Sequence, residues 1–128
     1  MIYVDTSVVL AQLLAEDRRP RATLWNEPLV SSRLVEYETW VRLNALELTR
    51  THGDAARDLV SRIALVELSP LVLERALEPF PGAVRTLDAL HLASLQYLRS
   101  QRLEVSLATY DERMAHVAGL LNVPVETP

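Results

Sequence analysis

The sequence predicts an α/β fold: a three-layer α/β/α arrangement around a central parallel sheet. Three observations predict it. Short apolar, β-rich runs such as Ile2-Tyr3-Val4 alternate along the chain with segments of helical apolar period, the signature of βαβ units covered on both faces. The composition, 49% hydrophobic and 23% charged over 128 residues, is that of an ordinary globular protein able to bury roughly two-thirds of its unfolded surface. No internal repeat, linker or low-complexity stretch divides the chain, so residues 1–128 are expected to form one domain.

The first strand is expected at 2–4, followed by Asp5-Thr6-Ser7 and a helix over 8–14 capped by one of those polar side chains. Residues 16–20 form a polar break, and a short helix over 21–25 leads to a second strand at 29–31. The longest helical pattern starts at Leu34 and runs to about Thr51, with Trp40, Leu43 and Leu46 on its apolar period. His52-Gly53-Asp54 reads as its end, with Gly53 as a helix C-cap and Asp54 as the next N-cap. A helix over 55–63, a strand over 64–68 and a helix over 71–77 follow, the last stopped by Pro79-Phe80-Pro81-Gly82. Thr86 is expected to cap a helix from Leu87 to about Arg102. A strand over 104–108, a helix over 111–120 and a short edge strand over 123–126 complete the pattern.

Composition removes several function classes. There is no cysteine, which excludes disulfides, thiolate chemistry and Cys-ligated zinc. The longest apolar runs are broken within a few residues, far short of the roughly 20 that a membrane helix needs. Asp5 interrupts the N-terminus before any signal-peptide pattern develops, so the cytoplasm is the expected location. Net charge is −4, which argues against duplex binding through a broadly basic surface but leaves room for a few local arginines. All 13 basic residues are arginine; Arg33, Arg42 and Arg85 are candidate phosphate contacts.

Candidate chemistry gathers around acids. In an open parallel sheet, ligands bind beyond the C-terminal ends of the strands. Asp5 follows the first strand directly and Asp111 follows the 104–108 strand closely, so both should face that crevice. A helix cap is the alternative role for each. Asp88 lies one turn into a helix among Leu87, Ala89, Leu90 and Leu92, where an ionised carboxylate is costly unless paired, hydrogen-bonded or metal-bound. The helix dipole supplies a smaller, competing reason for an acid there. Glu38 either pairs with Arg42 one turn later or points back toward the same sheet edge.

Four converging carboxylates with no obvious basic partner would repel one another, and a divalent cation removes that repulsion. All-oxygen ligands suit Mg²⁺ or Mn²⁺, and such sites favour phosphoryl transfer. Thr6, Ser7 and Thr109 stand beside the acids and could orient a water or ligand. His52, His91 and His116 lack metal-binding spacing with one another; His91, one turn after Asp88, is expected as a packed or supporting histidine. Trp25, Tyr37 and Trp40 could stack on bases, with Trp40 placed at a core period.

These motifs resemble a known family. Ile2-Tyr3-Val4-Asp5-Thr6-Ser7 resembles the opening of PIN-domain proteins, specifically the toxin ribonucleases of VapBC toxin–antitoxin pairs. Ser32-Arg33-Leu34 with Glu38 is similar to the second motif, and Thr86-Leu87-Asp88-Ala89-Leu90-His91-Leu92-Ala93 to the third and most specific. Ala108-Thr109-Tyr110-Asp111 resembles the fourth, so the likeness covers essentially the whole chain in the family's order. The resemblance implies a PIN-like fold and a Mg²⁺- or Mn²⁺-dependent endoribonuclease toxin that cleaves cellular RNA, usually tRNA or rRNA. It also implies a homodimer inhibited by a cognate antitoxin in a toxin–antitoxin complex, with the antitoxin encoded immediately upstream. By motif position Asp5, Glu38, Asp88 and Asp111 take the metal-binding and catalytic places, with Glu36 as the alternative second acid.

Two other readings compete. One is a catalytically silent PIN-like module for RNA binding or interaction, which loss of an acid would favour; all four acids are present. The other is a different α/β enzyme, weakened by the absence of any P-loop, Gly-x-Ser-x-Gly or Gly-x-Gly-x-x-Gly among only three glycines.

Overall fold

The computed structural model describes residues 1–14 and 17–128. Five strands, β1 (Ile2–Val4), β2 (Leu29–Ser32), β3 (Ile63–Val66), β4 (Ser106–Ala108) and β5 (Val125–Glu126), pair in the order β3-β2-β1-β4-β5. Every pairing is parallel, with Tyr3 opposite Val30 on one side and Leu107 on the other. The helices between them are α1 (Thr6–Leu14), α2 (Leu34–Ala45), α3 (Thr49–Ser61), α4 (Pro70–Leu77), α5 (Thr86–Ser100) and α6 (Glu112–Leu120), with a 3₁₀ turn over Ala22–Asn26. The predicted parallel sheet with flanking helices is the one observed. Glu16, which opens the predicted polar break, lies outside the described residues.

Strand alternation sorts the core into two halves. Ile2, Val4, Leu29 and Ala108 pack with Val8, Val9, Val35 and Leu59 of α1, α2 and α3. Tyr3, Val30 and Leu107 pack on the opposite face with Leu92, Leu95, Leu98, Met114 and Val117 of α5 and α6. Because β1 is buried on both faces, its tip carries Asp5 into a nearly water-free position. The chain leaves β1 toward β2 on one side and finds β4 on the other. That change of direction opens a crevice at the strand C-terminal ends between β1 and β4.

The structure corrects four sequence expectations. The long helix predicted from Leu34 to Thr51 is two helices, α2 and α3. Its break is a Schellman-type turn in which the Leu48 N–H donates to Leu43 O (2.8 Å) and the Glu47 N–H to Asn44 O (3.1 Å). Glu47 adopts φ 57° there, a conformation that glycine would normally supply. Gly53 is not a cap but sits inside α3, where a Cβ would lie 3.5 Å from the Trp40 indole. Asp54 likewise lies within α3 rather than starting a helix. Thr86 does not cap α5: Arg85 holds the N-cap position without a side-chain cap bond. Ahead of it, Gly82 at φ 118°, its missing Cβ 3.3 Å from Val117, turns the chain into α5.

Candidate active site

Asp5, at the tip of β1, is only 4% exposed. Its carboxylate oxygens are held separately: the Ser7 hydroxyl donates to Oδ1 (2.6 Å) and the Thr109 hydroxyl to Oδ2 (2.9 Å). Burial pushes the Asp5 carboxyl above the usual carboxylate range, Asp111 adds to the rise, and the two hydroxyl donors oppose it. Among the described residues no side-chain bond runs from Asp5 to an α1 amide; Asp5 directly precedes α1, its backbone carbonyl accepting the Val8 N–H (3.2 Å), and its carboxylate is engaged by Ser7 and Thr109 instead.

The same hydroxyls bind the loop after β4 to the loop after β1. Ser7 Oγ accepts the Tyr110 N–H (3.0 Å) and Thr109 Oγ1 accepts the Asp111 N–H (2.9 Å). Asp111 is the N-cap of α6, accepting the Met114 N–H at Oδ1 (3.0 Å), and its Oδ2 stays free for another partner. That partner is Arg85, whose Nη2 lies 2.8 Å away. The Arg85 Nε donates at 3.0 Å to Asp88 Oδ2, so one guanidinium spans two acids from different elements. The sequence expectation of acids without a basic partner is therefore corrected.

Glu38 does not pair with Arg42. Its Oε1 accepts from the Thr6 hydroxyl (2.7 Å) and lies 2.6 Å from His91 Nε2. His91 is buried, and its Nδ1 stands 2.8 Å from the Tyr3 hydroxyl, which itself accepts the Ser32 N–H (3.1 Å). In the tautomer whose Nε2–H donates to Glu38 Oε1, the bare Nδ1 accepts the Tyr3 proton. Burial pushes the Tyr3 phenol far above its usual range, so it stays protonated and able to donate. Glu36, the alternative acid, instead faces Arg33 at 3.8 Å, away from this network.

The structure thus gathers all four predicted acids with Thr6, Ser7, Thr109 and His91 at one sheet edge. Asp5 reaches Asp111 through Thr109, and Asp111 reaches Asp88 through Arg85. Beside them lies a cavity of about 860 Å³ whose lining includes Ser7, Arg18, Arg42, Arg85, Tyr110 and Arg113. Among the described residues Arg42 has no acidic partner within salt-bridge distance, and it stands in the lining of that cavity. Trp40 packs on Gly53 and under Arg57 (5.0 Å to the ring), consistent with a packing role.

In this conformation no three His, Asp or Glu side chains among the described residues converge on one point as a metal would require. The donor set still fits a hard divalent cation: carboxylate and hydroxyl oxygens, one carboxylate deeply buried, and no competing sulfur ligand.

The PIN domain family matches residues 2–120 of the chain. Ribonuclease VapC46 of Mycobacterium tuberculosis is 33% identical over 99% of this chain and 97% of its own length. The chain belongs to the PIN-domain family, in its VapC branch. Ribonuclease VapC35 of the same organism is 28% identical over the full chain and 97% of its own length. The crystal structure of Mycobacterium tuberculosis VapC20, a Sarcin-Ricin loop cleaving toxin, superposes with a TM-score of 0.61 at 23% identity, covering 91% of this chain and 94% of that one. That likeness establishes the PIN fold of this VapC-type chain.

Two residues of this PIN site do more than the sequence suggests. Arg85 carried one local signal, its i,i+3 spacing to Asp88. Tyr3 carried none, because a tyrosine within an apolar strand reads as core.

Proposed function

We propose that this PIN-domain protein is a Mg²⁺- or Mn²⁺-dependent endoribonuclease, the toxin of a type II toxin–antitoxin pair, with residues 1–128 working as one nuclease domain. The observation that carries the proposal is the gathering of Asp5, Glu38, Asp88 and Asp111 from four separate segments at the β1/β4 crevice, joined through Thr6, Thr109 and Arg85. Asp5, Asp88, Asp111 and Glu38 would hold the cation, which when bound supplies a polarised water and stabilises charge on the phosphate.

The chain's own residues do the positioning. Ser7 and Thr109 fix both Asp5 oxygens, which keeps that carboxylate from turning. His91 and Thr6 together fix one Glu38 oxygen, Oε1. The cavity adjoining Asp111, lined by Arg18, Arg42, Arg85 and Arg113 as well as by Asp17, Asp111 and Glu112, offers local arginines to the RNA backbone on a chain whose overall charge is negative. The relatives' identity as ribonucleases supports RNA as substrate, with tRNA or rRNA the proposed targets. A cognate VapB-like antitoxin that covers the acidic site and a homodimeric toxin complete the reading.

The test is hydrolysis of total RNA by purified protein with Mg²⁺ or Mn²⁺ and with EDTA. Cleavage should need the cation, and Asp88→Asn should lose roughly 10³-fold in rate, the size of several kcal/mol of charge stabilisation. Undiminished cleavage by Asp88→Asn would remove the acidic edge from the mechanism. No cleavage by the unaltered protein would favour a silent PIN-like interaction module.

A further inference from the structure

Arg85 has an unusual place among the basic residues of the cavity: it alone is ion-paired to two of the proposed metal ligands at once. Its side chain is 66% exposed, whereas the Asp88 and Asp111 side chains it spans are 13% and 17% exposed. The guanidinium therefore reaches from solvent into a recess that the two acids line. It holds Asp88 Oδ2 at 3.0 Å and Asp111 Oδ2 at 2.8 Å, two oxygens that a cation at this edge would need.

Resting on the metal-site reading above, we propose that Arg85 is a built-in stand-in for the divalent cation. It offsets one of the two negative charges of Asp88 and Asp111 while the metal is absent, and must give up both oxygens when the metal binds. Each acid at the edge has a separate compensation in this structure: hydroxyls for Asp5, Thr6 and His91 for Glu38, and Arg85 for the remaining pair. Of these compensations only the last is a solvent-facing charge, 66% exposed, and it can be withdrawn without rearranging buried groups. The arginine is the N-cap residue of α5, outside the helix proper, so its side chain swings without disturbing the helical ladder. Once released it lies at the lining of the cavity and adds a cation where an RNA phosphate would sit.

The cost of displacing Arg85 sets the consequence: the cation binds more weakly than the bare acids would allow. Exposed ion pairs are individually weak, so removing two of them should tighten Mn²⁺ binding by about three- to tenfold. Calorimetric titration of Mn²⁺ into metal-free protein, with thermal melts at each Mn²⁺ concentration, reads this without reference to activity. Arg85→Ala should bind Mn²⁺ more tightly than the unaltered protein and show a larger Mn²⁺-induced rise in Tm. Arg85→Lys, a point charge unable to span both acids, should fall between them. Equal or weaker Mn²⁺ binding by a folded Arg85→Ala would overturn the stand-in role and leave the metal-site reading intact. Failure of Mn²⁺ to bind any of the three proteins would overturn both.

Discussion

His91 Nε2 lies 2.6 Å from Glu38 Oε1, joining α5 to α2 across the end of the sheet. The contact is the middle of a buried relay that starts at the Ser32 N–H, passes through the Tyr3 hydroxyl and the His91 ring, and ends on the Glu38 carboxylate. Each member fixes the next, so the orientation of a proposed ligand depends on a tyrosine in the central strand. Tyr3→Phe should destabilise the fold by about 1–2 kcal/mol, since it removes one donor and strands the Ser32 N–H. RNA cleavage should fall about tenfold through kcat, with Glu38→Gln losing far more. Thermal melts and steady-state cleavage of one RNA check this, and a Tyr3→Phe protein with unchanged melts and unchanged kcat would contradict it.

Asp5 is held against its own charge. Its folded carboxyl titrates above the ordinary value of 3.8, chiefly through burial, so the folded state binds this proton more tightly than the unfolded state does. The group's favourable contribution is present below the ordinary value and is lost as pH rises through the raised one. Asp5→Asn should therefore raise the metal-free Tm at neutral pH, by the few degrees typical of relieving a strained functional site. The gain should shrink toward zero as melts are repeated down to about pH 4. A gain that grew on acidification would reverse the argument.

Asp111 has two roles that one pair of substitutions separates. Asp111→Ser keeps a hydroxyl acceptor for the Met114 N–H and removes the charge facing Arg85; Asp111→Ala removes both. The alanine variant should lose about 1 kcal/mol more stability than the serine variant, the worth of an N-cap. Cleavage should be impaired equally in both. A serine variant with full activity would reduce Asp111 to a capping residue.

The α2–α3 junction offers a test away from the site. Glu47→Gly should stabilise the protein by about 1 kcal/mol by relieving a left-handed residue. Gly53→Ala should also stabilise, by roughly 0.5–1 kcal/mol, because it stands inside a helix with room for a methyl group against Trp40. Denaturant midpoints check both, and destabilisation by Gly53→Ala would restore the cap reading.

What the sequence made legible follows the range of the interactions involved. The parallel sheet and the placement of Asp5 and Asp111 needed only the alternation of strands and helices and the rule that ligands gather beyond strand ends. Asp88 stands out because leucines surround it, yet Arg85, its partner three residues earlier, reads locally as a phosphate contact. Glu38 was ambiguous because its true partners, Thr6 and His91, are 32 and 53 residues distant and meet it only after the sheet closes. Its nearby arginine offered a local pairing that the fold does not use. The α2–α3 break was invisible for a related reason: the turn is carried by a glutamate in a glycine-like conformation, and the glycine six residues later serves packing.

The central claim is that Asp5, Glu38, Asp88 and Asp111 form one divalent-cation site. Anomalous scattering from crystals soaked in Mn²⁺ tests it most directly. The account predicts an anomalous peak at the β1/β4 crevice, ligated by Asp5 and Asp88, with the Arg85 guanidinium withdrawn from Asp88 and Asp111. A peak elsewhere, or none at a Mn²⁺ concentration that supports RNA cleavage, would contradict it.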